Sequence, residues 1–227
     1  MNAFILAGGQ STRIGRDKAL LEFRGRPLIE HALDKLRALD FSPRIAGNRP
    51  DLAPYAPVVP DHYPGSGPLA GIEAALSASD ADLNLFLPID LPLLPIDFLR
   101  WMTARARETC AVATIPHLKG RPQPLCAVYR RDLLQHIQVA LAKGDRKVID
   151  VIESAAANSC HPDRSARRVV EGPAVRISNS SLDRFNVETI AACLDFATTL
   201  PVHRWFQNLN TPADLQIAAL EESPFIQ

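Results

Sequence analysis

Ala3-Phe4-Ile5-Leu6-Ala7-Gly8-Gly9-Gln10-Ser11-Thr12-Arg13-Ile14-Gly15-Arg16-Asp17-Lys18 decides how the rest of the chain is read. The apolar run Ala3–Leu6 is short enough to be a buried strand. It breaks into a glycine pair and then spaced cations, which is a design for handling phosphate. Glycines let the backbone approach an anion, with successive N–H groups turned toward it. Arg13 can meet polyphosphate oxygens as a planar fork and Lys18 as a compact charge. An ordinary strand-to-helix turn with solvated cations satisfies the same residues. Two familiar phosphate loops are excluded by counting. Five residues separate Gly9 from Gly15, and Arg16-Asp17 stand before Lys18, so no Walker loop is present. Gly8 and Gly9 are adjacent, so the G-x-G-x-x-G dinucleotide pattern is absent as well.

Outward from this loop, apolar strands alternate with amphipathic helices. Gly25-Arg26-Pro27 is a turn that places Pro27 at a first helical position, and Ile29, Ala32, Leu33 and Leu36 repeat at helical spacing to about Leu39. Arg44–Ala46 and Pro57–Val59 read as short strands, Pro68–Leu76 as a helix, Leu83–Leu87 as a strand and Asp97–Ala106 as a helix. Cys110–Ile115 and Leu125–Tyr129 read as strands, with a helix from Asp132 to about Leu141. The alternation predicts an α/β fold, a Rossmann-like and mostly parallel sheet with helices on both faces. Ligands of such sheets bind beyond the carboxyl ends of the strands. The 227 residues are expected to form a single domain. From about Ser154 to Ser181 small and polar residues accumulate, with a helix expected just after, over Val187–Ala197.

Composition narrows the function. Formal net charge is zero, so no bulk field recruits nucleic acid or an anionic membrane. No apolar run approaches the roughly 18 residues of a membrane span. The N-terminus has no cationic region ahead of its apolar segment, which argues against an export signal and for the cytoplasm. Four scattered cysteines, Cys110, Cys126, Cys160 and Cys193, form no C-x-x-C pair and suggest neither zinc nor redox chemistry.

Five further segments carry chemistry. Pro88-Ile89-Asp90-Leu91-Pro92 ends an apolar strand on a carboxylate. Such a group suits Mg²⁺, a hard cation that favours one or two carboxylates plus phosphate oxygens, although a capping turn aspartate has the same pattern. Gly65-Ser66-Gly67-Pro68-Leu69-Ala70-Gly71 is a second glycine-rich approach to a helix. Arg121-Pro122-Gln123-Pro124-Leu125 and Gly144-Asp145-Arg146-Lys147 place arginines on loops. Phe206-Gln207-Asn208-Leu209-Asn210-Thr211-Pro212-Ala213-Asp214-Leu215 starts a helix, with Thr211 as N-cap, Pro212 in the first turn and Asp214 completing a capping-box-like arrangement. Capping accounts for Thr211 and Asp214 but leaves Asn208 and Asn210 unexplained.

Leu6-x-Gly8-Gly9-x-Ser11-x-Arg13-Ile14-Gly15-x-Asp17-Lys18 resembles the signature loop of the nucleotidyltransferases related to molybdenum cofactor guanylyltransferase, with Ile14 where methionine is usual. The later segments resemble that family's ordered motifs over about residues 3–150 and again 205–220. The resemblance implies the nucleotide-diphospho-sugar transferase type of fold and a magnesium-dependent transfer of GMP from GTP to a molybdopterin-type cofactor. By the same likeness, Arg13, Lys18 and Asp90 are expected to be catalytic, with Asp90 the Mg²⁺ ligand. Leu6, Ala7, Gly8, Gly9, Lys18, Asn48, Asp61, Gly67 and Asp90 match nucleotide-binding positions, while Arg121, Arg146, Asn208 and Asn210 match acceptor-side positions. Ala46 departs from the polar residue often found two positions before Asn48. The stretch at about 154–204 is longer than the family's usual spacing and reads as an atypical insertion. The implied partners are GTP and the molybdopterin-type cofactor, with transient contacts to other cofactor-biosynthesis proteins or molybdoenzymes. Cytidylyl or sugar-phosphate nucleotidylyl transfer, or non-catalytic nucleotide binding, fit the same residues.

Overall fold

Successive residues of a strand point to opposite faces of its sheet, so a strand that is apolar throughout must be covered on both. In the computed structural model, which describes residues 1–8, 17–158, 182–186 and 200–221, the first strand meets that demand. Ala3 and Ile5 enter one core, while Phe4 and Leu6 enter another on the opposite face.

The strands are β1 (Asn2–Leu6), β2 (Glu22–Phe23), β3 (Arg26–Pro27), β4 (Arg44–Ala46), β5 (Val58–Val59), β6 (Leu83–Pro88), β7 (Ala113–Leu118), β8 (Arg121–Pro122), β9 (Ala127–Arg130) and β10 (Leu182–Asn186). The helices are α1 (Leu28–Arg37), α2 (Pro68–Ser77), α3 (Ile96–Glu108), α4 (Leu133–Ala142), α5 (Val148–Asn158), α6 (Val202–Trp205) and α7 (Pro212–Glu221). The main sheet runs β10-β7-β9-β6-β1-β4-β5, with β8 hooked onto β7, and β2–β3 form a separate hairpin. β1 pairs in parallel with β4 and β6, β4 with β5, and β7 with β10. Within the main sheet, among the described residues, only β9 and the short β8 run against their neighbours.

Residues of α1 and α3 join the first core, together with Trp205 and Phe206. Those of α2, α4 and α5 join the second, where Phe4 stacks on Phe86 at 5.6 Å. A smaller cluster of Leu21, Phe23, Leu28, Leu93, Leu209, Leu215 and Ala218 brings α7 onto the β2–β3 hairpin. Proline stands at most helix starts: α1, α3 and α6 follow one, and α2 and α7 begin with one. That placement suits a residue whose missing N–H is not needed there. Among the described residues, no helix is long and apolar enough to cross a membrane.

Three sequence expectations shift. The strand expected over Cys110–Ile115 lies at Ala113–Leu118. α1 begins at Leu28, with Pro27 as its N-cap. The polar stretch after Ser154 contains the end of α5, and the strand β10 follows it directly. The helix expected over Val187–Ala197 lies outside the described residues.

Candidate active site

Strand register builds the site. Leu6 is opposite Ala46 on one side and Pro88 on the other. Two residues beyond that shared row come Gly8, Asn48 and Asp90, at the carboxyl edge of three adjacent parallel strands where open α/β sheets bind ligands. A cleft of about 400 Å³ opens there, lined by Leu6, Gly8, Lys18, Asp61, Gly67 and Asp90 among others.

Lys18 joins the parts of this cleft. It opens a short 3-10 turn, Lys18–Leu20, that Asp17 caps by accepting from Ala19 N at 3.0 Å. Lys18 Nζ donates to Asp90 Oδ2 at 2.6 Å and also to Asn210 Oδ1. Asp90 is in turn tied to the C-terminal segment, because Leu209 N donates to its carbonyl at 3.1 Å. The second carboxylate oxygen, Asp90 Oδ1, is buried with no hydrogen-bond partner among the described residues. A buried carboxylate oxygen left unpaired on a residue of the cleft wall calls for a ligand.

The expected capping box is present: Asp214 Oδ2 accepts from Thr211 N at 2.9 Å and Asn210 N at 3.1 Å, and Thr211 Oγ1 accepts from Asp214 N at 3.1 Å. The cap fixes the backbone at Asn210, whose side chain reaches Lys18. Trp205, packed on Phe98 at 5.7 Å, anchors the same segment from below.

On the other lip, Asn48 Oδ1 accepts from Asp61 N at 2.9 Å. Asp61 Oδ1 is buried without a partner among the described residues. Burial pushes the Asp61 carboxyl above its ordinary value and the charge of Glu73 adds to this, with His62 opposing. Glu73 is 1% exposed on α2. Its oxygens accept from Ser77 Oγ and Gln138 Nε2 and lie beside His62 Nδ1, each at 2.9 Å. Gly47 has φ of +136°, where a side chain is strained, and a Cβ there would sit 3.3 Å from Gly8 N. Glycine at this position lets β4 pass directly behind the start of the first loop.

Of the residues singled out from sequence, Leu6, Gly8, Lys18, Asp61, Gly67, Asp90 and Asn208 line one cleft. Asn210 joins through Lys18 and Asn48 through Asp61. Ala7 is buried beneath, donating to Ala46 O at 3.2 Å. Gly9 and Arg13 lie outside the described residues. Arg121 and Arg146 are exposed and are not in the cleft wall. In the segment that carries Arg121, the wall is formed by Gln123, Pro124, Leu125 and Cys126. The hairpin explains this: Arg121 on β8 pairs with Leu118 of β7, and the chain turns into the cleft only afterward. Burial, reinforced by the charge of Asp90, raises the Cys126 thiol and keeps it protonated. Gly71 and Gln123 belong to two of the segments singled out from sequence, whereas Cys126 carries no chemical pattern of its own and becomes visible only through the fold.

Residues 3–160 match the family described as the MobA-like NTP transferase domain. The chain belongs to that family. Among curated relatives, the molybdenum cofactor guanylyltransferase of Vibrio atlanticus is 36% identical over 149 residues, covering 64% of this chain and 76% of that one. The probable molybdenum cofactor guanylyltransferase of Methanothermobacter thermautotrophicus is 32% identical over 224 residues, covering 94% of this chain and 96% of its own. The fold matches the crystal structure of molybdopterin-guanine dinucleotide biosynthesis protein A from Archaeoglobus fulgidus, with a TM-score of 0.72 and 23% identity over 99% of this chain and 100% of that one. In this MobA-like NTP transferase, then, the sheet and the helices on both its faces are those of a nucleotidyltransferase.

Proposed function

We propose that this nucleotidyltransferase moves GMP from GTP onto a molybdopterin-type cofactor and releases pyrophosphate. The observation that carries the reading is the convergence of Lys18, Asp90 and Asn210, from three distant parts of the chain, at one point of the cleft. The names of the curated relatives support the choice of nucleotide and acceptor.

In the proposed reaction an oxygen of the acceptor's terminal phosphate attacks the α-phosphorus of GTP. The new bond joins that oxygen to phosphorus, and the bond from phosphorus to the bridging oxygen of the β-phosphate breaks. Its electron pair leaves with pyrophosphate. The attacking phosphate is already anionic, so no strong general base is required, and catalysis is positioning plus charge neutralisation. Lys18 neutralises the departing phosphates. Asn48 and Asp61 form the nucleoside side, and Asn208 and Asn210 face the acceptor. The residues also fit a divalent cation: Asp90 Oδ1, buried and without a partner, would hold Mg²⁺, which prefers few carboxylates and keeps sites for phosphate oxygens. When bound, the cation would supply further neutralisation of the triphosphate charge.

The test is to incubate the full chain with Mg²⁺, the phosphorylated acceptor and each of GTP, CTP and ATP, measuring pyrophosphate and the mass of the product. Pyrophosphate with a GMP-bearing product from GTP alone is expected. Turnover with CTP in preference to GTP transfers the reading to cytidylyl transfer, and absence of turnover with every nucleotide ends it.

A further inference from the structure

We propose that Arg49 is a positioning residue for Lys18, acting on the exit of the glycine-rich loop through Asp17; the inference rests on the nucleotide-transfer reading above. Arg49 follows β4 and is only 7% exposed. Its Nε and Nη2 donate to the two Asp51 carboxylate oxygens at 3.0 and 2.7 Å, and Nη2 also donates to Asp17 Oδ2. A guanidinium withdrawn from water requires a charged partner, and Asp51, two residues away, already supplies one in the strong bidentate form. Asp17 comes from a segment 32 residues earlier and is not needed to balance the buried charge. What the second contact adds is location.

That location is specific. Asp17 uses one oxygen for Arg49 and the other to cap the turn that begins at Lys18. A single carboxylate therefore couples the guanidinium to the residue whose ammonium faces Asp90 and Asn210. The neighbours of Arg49 brace the remaining edges of the pocket: Gly47 backs onto Gly8, where the loop starts, and Asn48 holds the backbone of Asp61. Three consecutive residues thus fix both ends of the phosphate loop and the nucleoside lip. Arg49 is the member of this trio that serves the phosphate side.

The experiment compares Arg49→Met, Arg49→Lys and Asp17→Asn with the unaltered full chain, titrating GTP and GMP by calorimetry alongside thermal melts. Losing a well-placed hydrogen bond between a charged side chain and a ligand phosphate weakens binding by about 10- to 100-fold. Arg49→Met and Asp17→Asn are therefore expected to weaken GTP by about 10- to 100-fold while GMP affinity changes by less than about twofold. Arg49→Lys should recover part of the loss, and the double variant should bind GTP no worse than the weaker single one, because both act on one contact. A purely structural role would lower melting temperature and weaken GTP and GMP alike. Equal losses for both nucleotides, or unchanged GTP affinity in folded Asp17→Asn and Arg49→Lys, overturn the proposal even if Arg49→Met fails to fold. If the unaltered chain binds neither nucleotide, the nucleotide-transfer reading falls, and the positioning role falls with it.

Discussion

Replacing Lys18 by methionine separates what the Lys18–Asp90 pair does for the fold from what it does for chemistry. The pair is 2.6 Å apart, with side chains 17% and 14% exposed. At an effective dielectric of about 20, such charges attract by roughly 6 kcal/mol before desolvation is counted. Stranding one partner of a fully buried pair costs about 3–5 kcal/mol. This pair borders a water-accessible cleft, which reduces the expected loss to about 2–3 kcal/mol. For a chain of this size each kcal/mol is worth about 2–4 °C, so Lys18→Met should melt about 5–10 °C lower. Most of that loss is the penalty of a lone buried Asp90. Lys18→Met with Asp90→Asn removes both charges and should return to within about 1 kcal/mol of the unaltered protein. Nucleotide transfer should remain absent in the double variant. Scanning calorimetry and a pyrophosphate-release assay on the same samples make the comparison. An unchanged melting point for Lys18→Met, or a double variant less stable than either single one, refutes the electrostatic account; GMP transfer by the refolded double variant refutes the catalytic one.

Three further outcomes follow from neighbouring contacts. The Asp61 carboxyl is raised in the folded state, so folding is penalised once that group ionises: the stability it contributes at low pH is lost as pH rises from the unfolded carboxylate value through the folded one. Asp61→Asn should therefore melt higher than the parent at neutral pH, the gain disappearing under acid conditions, and an equal gain at all pH values counts against the burial argument. Gly47→Ala, with φ of +136° and a Cβ 3.3 Å from Gly8 N, should lose about 1–3 kcal/mol in denaturant titrations together with GTP affinity; a neutral effect means that the close approach is not required. Trp205→Phe keeps an aromatic ring but drops the indole bond to Leu200 O at 3.1 Å. It should cost about 1–2 kcal/mol and speed amide exchange at Asn208 and Asn210, whereas unaltered exchange there would uncouple the aromatic anchor from the site.

Local signals carried much of this architecture. A buried first strand, proline at the starts of α2 and α7 and a Thr-x-x-Asp cap depend on neighbours in sequence, and each is found where those neighbours predict it. Asp90 was legible for the same reason, since an apolar run ending in Asp-x-Pro places a carboxylate at a strand edge. What escaped depends on partners far along the chain. β10 is polar and reads as a strand only beside β7. Pro116 suggests an early end to β7, yet the β9 ladder has already stopped at Thr114, so the proline falls beyond it. In α5, Val148, Val151, Ile152 and Ala155 keep helical spacing and are buried, but the small residues from Ser154 onward mask the pattern. Arg121 drew attention by its charge, whereas the cleft wall uses its uncharged neighbours Gln123 and Pro124. Arg49 stands next to Asn48 in the sequence, but its hold on Asp17 is a property of the folded chain.

The reach from Lys18 to Asn210 spans 192 positions, and it sets a timetable for the ribosome. At about 5–20 residues per second, roughly 10–40 s pass between the synthesis of the two residues. For that interval the emerging polypeptide has its ammonium group but lacks the amide that receives it. A truncated product, however well its first strands have assembled, carries an unfinished centre.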